Sequence, residues 1–434
     1  MTSGTIDRLL AGTWPDPETG QPVKVAVQRV VIADSLAGRE AACLDGLGLR
    51  PPFAVVFDPT THTLLGARIE AALGAVGAVI PVHLGDHPHA DADQVVALRM
   101  ATARAHSLVA VGSGSINDLC KYTAMRDRKR YVVFATAPSM NGYTSTNAAI
   151  TVDGHKKSLS AVVPTGVFAD VGVLAGAPAR MIRSGLGDSI ARSTAQADWL
   201  LAHFLVDTPY REAPFALLAE DEDALMAAPE ALLAGDLGAM ERLARTLILS
   251  GFGMTICGSS HPASQAEHLI SHTIEMKAPA GTPPVFHGEQ VAVATLTIAR
   301  LQERVLDGPP PRLEATTVTE ADAIRWFGPE LGATCWKDFA PKRLDDARAA
   351  ALNARLAVDW DSIRARLRAV MRPANQIEAT LRRAGAPTRP SDLGLDIGFY
   401  RQVVRHARLT RDRFTILDVA AESGALDPFV DSLA

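Results

Sequence analysis

Short apolar runs rich in β-branched residues alternate with stretches of helical spacing through the first 175 positions. "FAVVFDP" (53–59), "GAVIPVHL" (77–84), "SLVAVGSGS" (107–115) and "YVVFATAP" (131–138) read as buried strands. Between them "THTLLGARIEAAL" (61–73), "DADQVVALRMATARA" (91–105) and "INDLCKYTAM" (116–125) carry helical periodicity. Strands that alternate with helices predict a parallel sheet covered on both faces. "AAITVDG" and "KSLSAVVP" (148–164) flank an Asp153-Gly154-His155 turn and predict a hairpin; "GVFADVGVL" (166–174) closes the region. Beyond residue 175 the character changes. Long helical patterns cover 186–206, 218–234, 238–257 and 263–276, and β-branched runs nearly vanish. The prediction is an α/β domain over residues 1–175 followed by an all-helical domain over 176–434.

Composition narrows this little. With 434 residues, 47% hydrophobic, 21% charged and a net charge of −5, the chain suits a soluble globular protein of more than one domain. No basic stripe points to nucleic acid, and the short "RDRKR" run (126–130) reads as a solvated loop. Cys43, Cys120, Cys257 and Cys335 are widely spaced, which suits free thiols in a reducing compartment. The opening "MTSGTIDRLLAGTWPDPETG" lacks a signal pattern, and no apolar run is long enough for a membrane span. These observations together predict a cytoplasmic protein.

"VAVGSGSINDLCK" (109–121) joins a strand to a helix through glycines. Gly112 and Gly114 let backbone N–H groups approach a pyrophosphate, and a helix N-terminus adds partial positive charge. Ser115 is a candidate N-cap with Asp118 at the third helical position, as in a capping box. The plain alternative is a well-capped turn with no ligand. Asp58, at the tip of the first strong strand, is a candidate for a ribose hydroxyl, which would disfavour a 2′-phosphate.

"HPASQAEHLISHTIE" (261–275) places His268 and His272 on one helical face, with His261 ahead of the helix beside Pro262. His287-Gly288 opens a further helix, and Asp188 in "GLGDSIAR" is expected to start one. Two imidazoles and a carboxylate suit a divalent metal with an open position. Taken singly, each residue is more often a solvated or capping group than a ligand. "HLGDHPHAD" (83–91) is read as a polar loop.

In order along the chain, "VAVGSGSINDLCKY", "TAPSMNGYTS", "GLGDSIAR", "SQAEHLISHTIE" and "FHGEQVAVAT" resemble the superfamily of iron-containing alcohol dehydrogenases, glycerol dehydrogenases and 3-dehydroquinate synthases. Within it the likeness is greatest to the sn-glycerol-1-phosphate dehydrogenases. The resemblance covers roughly residues 50–300. It implies a dinucleotide-binding α/β domain, a helical metal- and substrate-binding domain, and an active site in the cleft between them. It implies metal ligation by Asp188, His268 and His287, with Zn2+, Fe2+ or Ni2+ as the ion, and places His272 beside substrate or cofactor. NAD or NADP would meet Asp58, Gly112, Gly114, Ser115, Asp118, Thr136, Ser139 and Ser145. The substrate would be a small phosphorylated ketone or polyol, and the protein a homo-oligomer.

Two departures matter. Ser113 replaces the usual middle glycine, and Asn141 stands where the family carries an acidic residue; it can hydrogen-bond a hydroxyl but cannot act as a base. The specific expectation is interconversion of dihydroxyacetone phosphate and sn-glycerol 1-phosphate, with His272 and Asn141 at the substrate. His155, Lys156 and Lys157 are candidates for the substrate phosphate, the alternative being a plain solvated turn. Rival readings are a glycerol or polyol dehydrogenase, a sugar-phosphate cyclase, or a cofactor-binding protein with altered catalysis. The cyclases carry a glycine before each histidine of the pair, where this chain has Glu267 and Ser271.

Overall fold

The computed structural model describes residues 4–434. Six strands form one parallel sheet: β1 (Arg29–Ala33), β2 (Phe53–Phe57), β3 (Val79–His83), β4 (Ser107–Gly112), β5 (Arg130–Ala135) and, after a two-stranded hairpin of β6 (Asn147–Val152) and β7 (His155–Ser160), β8 (Gly166–Asp170). Their order is β1-β8-β5-β4-β2-β3. β2, β4 and β8 are buried along their whole length, as expected of strands covered on both faces. Phe57, Val109, Val132, Phe134 and Phe168 lie in one core cluster with Leu65, Ile69 and Leu73 of the covering helix. β1 is the strand that apolar patterning does not predict. It is a short edge strand of half-buried residues between polar segments, so its apolar signal is weak.

Chain direction through the sheet reverses at β2. From β2 the chain steps outward to β3, then returns to β4 on the other side. Such a switch point opens a crevice at the carboxyl ends of the two strands. Val56 pairs with Ala110, so the register, carried two residues on, brings Asp58 level with Gly112. Both predicted cofactor cues therefore sit at the one place where the topology leaves room.

Two compact units divide the chain. Residues 4–152, 156–189 and 211–260 make the first, and 153–155, 190–210 and 261–434 the second. Segments 176–189 and 211–260 follow the change of sequence character near 175 and pack with the first unit. The helices used below are α1 (Ala92–Ala101), α2 (Gly114–Asp127), α3 (Ala179–Ile190), α4 (Arg192–Val206), α5 (Leu237–Cys257), α6 (Ala266–Lys277), α7 (His287–Asp307) and α8 (Asp346–Val370). The single helix expected over 186–206 is thus two. In the second unit, Leu200, Leu201 and Leu205 of α4, Leu269 and Ile270 of α6, Ile298 and Leu301 of α7 and Leu356 and Trp360 of α8 share one core. Among the described residues no helix is long and apolar enough to cross a membrane, and the four cysteines are free thiols.

Candidate active site

The glycine turn is shaped by sterics. A Cβ on Gly112 would meet the Ile116 side chain at 2.6–2.7 Å, so only glycine fits where β4 turns into α2. A Cβ on Gly114 would meet only ordinary contact, with Met140 at 3.5 Å. α2 begins at Gly114, two residues earlier than periodicity predicts, and its N-cap is Ser113 without a side-chain cap bond. The expected capping box of Ser115 and Asp118 does not form. Ser115 is exposed, and Asp118 accepts the Ala149 N–H of β6 at 3.0 Å instead. A competing tertiary partner has claimed the carboxylate. Burial pushes the Asp118 carboxyl up, opposed by the charges of Lys121 and Lys156. Asp58 caps the first turn after β2, accepting the Thr61 N–H at 2.7 Å.

The loop over residues 136–147 is pinned from several sides within the first unit. Lys121, fully buried on α2, donates to Gly142 O at 2.6 Å, Ser145 Oγ at 3.1 Å and Asn147 O at 3.1 Å. Burial pulls its pKa down to about 8, with Asp118 opposing. Tyr143 Oη donates to Ala137 O at 2.7 Å, and Ser113 Oγ makes a short hydrogen bond with Ser139 Oγ. Thr144 Oγ1 donates to Ile248 O of α5 at 2.6 Å, and Thr255 Oγ1 donates to Thr144 O at 2.7 Å. Ser184 of α3 donates to Ser139 O at 2.9 Å. The predicted cofactor residues Thr136, Ser139 and Ser145 are all buried; the Ser139 hydroxyl is engaged by Ser113 of the glycine turn and that of Ser145 inside the loop. Sequence reading missed Lys121, although its spacing of three from Asp118 on a helix is a usable signal.

Asp188 does not start a helix as expected; it lies near the end of α3. The two glycines before it read as a turn, but Gly185 is a packing glycine: a Cβ there would collide with the Pro138 carbonyl. The buried Asp188 carboxylate accepts the Asn141 backbone N–H at 2.8 Å and the Asn141 Nδ2 at 3.3 Å. This accounts for Asn141. An acidic residue there would set a second carboxylate against Asp188, whereas the amide donates to it.

In the second unit the imidazoles of His268, His272 and His287 form a triangle with ring centroids 5.9, 5.2 and 5.7 Å apart. α7 starts at His287, as predicted. His268 Nδ1 lies 2.9 Å from Glu267 Oε1, and His287 Nδ1 lies 3.2 Å from Glu275 Oε1 and 3.3 Å from Ser271 Oγ. A carboxylate on Nδ1 holds the proton there and leaves the Nε2 lone pair for a cation, the usual support of a metal-binding histidine. Glu267 is fully buried and also accepts the Gln265 N–H at 2.8 Å and Thr194 Oγ1 at 3.2 Å. Glu267 and Ser271, where the cyclases carry glycine, therefore both serve the histidines. Behind Glu267, the buried Asp198 is pushed up to about 8 by burial and by the Glu267 charge. His261 sits in a short 3-10 turn ahead of α6, and burial and Arg413 pull its pKa down to about 4.

The family model described as iron-containing alcohol dehydrogenase matches residues 31–178. A glycerol-1-phosphate dehydrogenase (NAD(P)+) of Geobacillus thermodenitrificans is 31% identical over 72% of this chain and 70% of its own length. That of Bacillus licheniformis is 26% identical over 93% and 90%. Among solved structures, a glycerol dehydrogenase from Schizosaccharomyces pombe superposes with a TM-score of 0.62 at 17% identity, over 94% of this chain and 90% of the other. That likeness speaks for the fold.

Proposed function

The chain belongs to the glycerol-1-phosphate dehydrogenase family within the iron-containing alcohol dehydrogenases, and from that premise we propose that it is a metal-dependent, NAD(P)-linked oxidoreductase interconverting dihydroxyacetone phosphate and sn-glycerol 1-phosphate. The observation that carries the reading is the histidine triangle, in which His268 and His287 each rest Nδ1 against a carboxylate. This donor chemistry fits a divalent cation, for which the family resemblance supplies Asp188 as third ligand, and such a set suits Zn2+, Fe2+ or Ni2+. A metal held there supplies Lewis acidity toward the substrate oxygen, and the nicotinamide supplies the hydride.

The chain's own groups do the rest. Glu267 and Glu275 orient the imidazoles, and the Asn141 amide orients the Asp188 carboxylate. His272, third member of the triangle, moves the proton that accompanies hydride transfer. Asn141 also offers a hydrogen bond to a substrate hydroxyl. Gly112, Gly114 and Ser115, with Asp118 nearby, give the pyrophosphate its donors, Asp58 meets the ribose, and Thr136, Ser139 and Ser145 shape the nicotinamide side. A homo-oligomer in a reducing cytoplasm completes the proposal, supported by the family and by the four free thiols.

Purified protein with Zn2+ is expected to oxidise NADH with dihydroxyacetone phosphate and give the 1-phosphate enantiomer. Turnover of unphosphorylated glycerol alone would transfer the chain to the polyol dehydrogenases. Bound nucleotide without turnover of any polyol would favour a binding protein. His268→Ala is expected to strip the metal, read by elemental analysis; stoichiometric metal in that variant would sink the ligand assignment.

A further inference from the structure

The C-terminal segment "RLTRDRF" (408–414) brings an unusual arginine to the histidine triangle. Arg411 lies in extended backbone after the 3-10 turn Ala407–Thr410, and its Nη2 is 3.5 Å from His272 Nδ1. Three arginines of the second unit show the usual arrangement on a carboxylate: Arg408 on Glu422 at 2.6 Å, Arg300 on Glu378 at 2.7 Å and Arg405 on Asp427 at 2.8 Å. Among the described residues Arg411 has no such pair. Asp338 and Asp412 reach it through the field alone, while burial pulls its pKa below the usual arginine range. A guanidinium has five N–H donors, and placing it half-buried without an anion costs free energy that a bound anion recovers. The carboxylates of the triangle are engaged on His268 and His287 rather than on Arg411, which meets a ring nitrogen of His272, and the neighbouring Arg413 adds a like charge.

We propose that Arg411 binds the phosphate of the substrate and so sets the preference for a phosphorylated three-carbon ketone over its unphosphorylated counterpart. The inference rests on the dehydrogenase reading above. Dihydroxyacetone phosphate separates its phosphorus from the carbonyl carbon by one methylene and one ester oxygen. A phosphate on Arg411 therefore presents the carbonyl at the neighbouring histidines, one imidazole away. Guanidinium is suited to this task because its fork pairs two phosphate oxygens at once. The role falls to the C-terminal helical region, outside the stretch in which the family motifs lie.

The test uses the full chain with Zn2+ and NADH, in wild type, Arg411→Met and Arg411→Lys. Loss of a charged hydrogen bond predicts a KM for dihydroxyacetone phosphate raised about 10- to 100-fold in Arg411→Met. The KM values for dihydroxyacetone and NADH are expected to stay as in wild type, and Arg411→Lys is expected to recover part of the loss. Without turnover, calorimetry with inorganic phosphate should show binding to wild type that Arg411→Met lacks. Thermal melts establish that each variant is folded, and should Arg411→Met not fold, Arg411→Lys and Arg411→Gln carry the same comparison. An unchanged KM for the phosphorylated ketone overturns the proposal, as does an equal rise for both ketones. A rise confined to NADH assigns the arginine to the cofactor phosphates instead. A rise seen in Lys156→Ala/Lys157→Ala and not at Arg411 gives the phosphate to the hairpin. If wild type binds phosphate through Arg411 but never turns over the ketone, the anion site stands and the dehydrogenase reading falls.

Discussion

The loop over residues 136–147 and the histidine triangle solve the same problem by different means. The loop is held by neutral and singly charged donors spread over backbone carbonyls: Lys121, Tyr143, Thr144, Thr255 and Ser184 each tie one strand of it down. The triangle is held by carboxylates set directly on imidazole nitrogens. Carbonyl anchors fix where a backbone runs. Carboxylate anchors fix which ring nitrogen carries the proton. The first region should fail by loosening and the second by losing its cation, with the fold intact.

The sharpest break of the first region is Gly185→Ala, which drives a methyl into the Pro138 carbonyl. Overpacking of that kind is expected to cost about 3 kcal/mol, read as a lower urea midpoint. An unchanged midpoint would mean that the loop yields and is not clamped. The matching break of the second region is Glu267→Gln, which keeps size and removes charge. It is expected to weaken metal binding about 10- to 100-fold while the melting temperature of the metal-free protein hardly moves. A large loss of metal-free stability would erase the contrast between the regions. Lys121→Met removes three bonds at once and leaves carbonyls unpaired, for an expected loss of about 2 kcal/mol and weaker NADH binding by fluorescence titration. Tight NADH binding in that variant would detach the loop from the cofactor.

The smallest effect is expected at His261, which lies outside both regions. Its folded pKa of about 4 lies below the ordinary histidine value of 6.5, so the folded state binds fewer protons than the unfolded chain between those values. Stability is therefore lost as pH falls from about 6.5 toward 4. His261→Gln should flatten that limb by about 1 kcal/mol, since the side chain is only partly shielded from water. An acid limb identical to that of wild type would show that other groups carry it.

Much of this was legible along the chain. The alternation of β2 to β5 with their helices follows from apolar periodicity, and the Gly112 turn and the start of α7 at His287 from local chemistry. What escaped was non-local. β1 has too few buried residues to announce itself. Asp118 looked like a cap because its partner, the Ala149 N–H, is distant in sequence. Asp188 looked like a helix start because Gly185 before it owes its presence to packing on Pro138 rather than to a turn. Glu267 stood beside His268 in plain sight, yet adjacency on a helix does not ordinarily bring side chains together. Asn141, puzzling as a missing acid, makes sense once the Asp188 carboxylate is seen in front of it.

The interleaving of the two units has a consequence for synthesis. A ribosome delivers the sheet by residue 170, but the first unit is complete only at residue 260, after α5 has emerged. Meanwhile α4, with Leu200, Leu201 and Leu205, belongs to a core whose other members begin at residue 266. The nascent chain must carry an apolar helix with no partner while some sixty residues are still to be translated. Domains fold as units, and transiently exposed apolar surface invites aggregation. Expression in two pieces, cut at any single point, would leave one piece without part of its core.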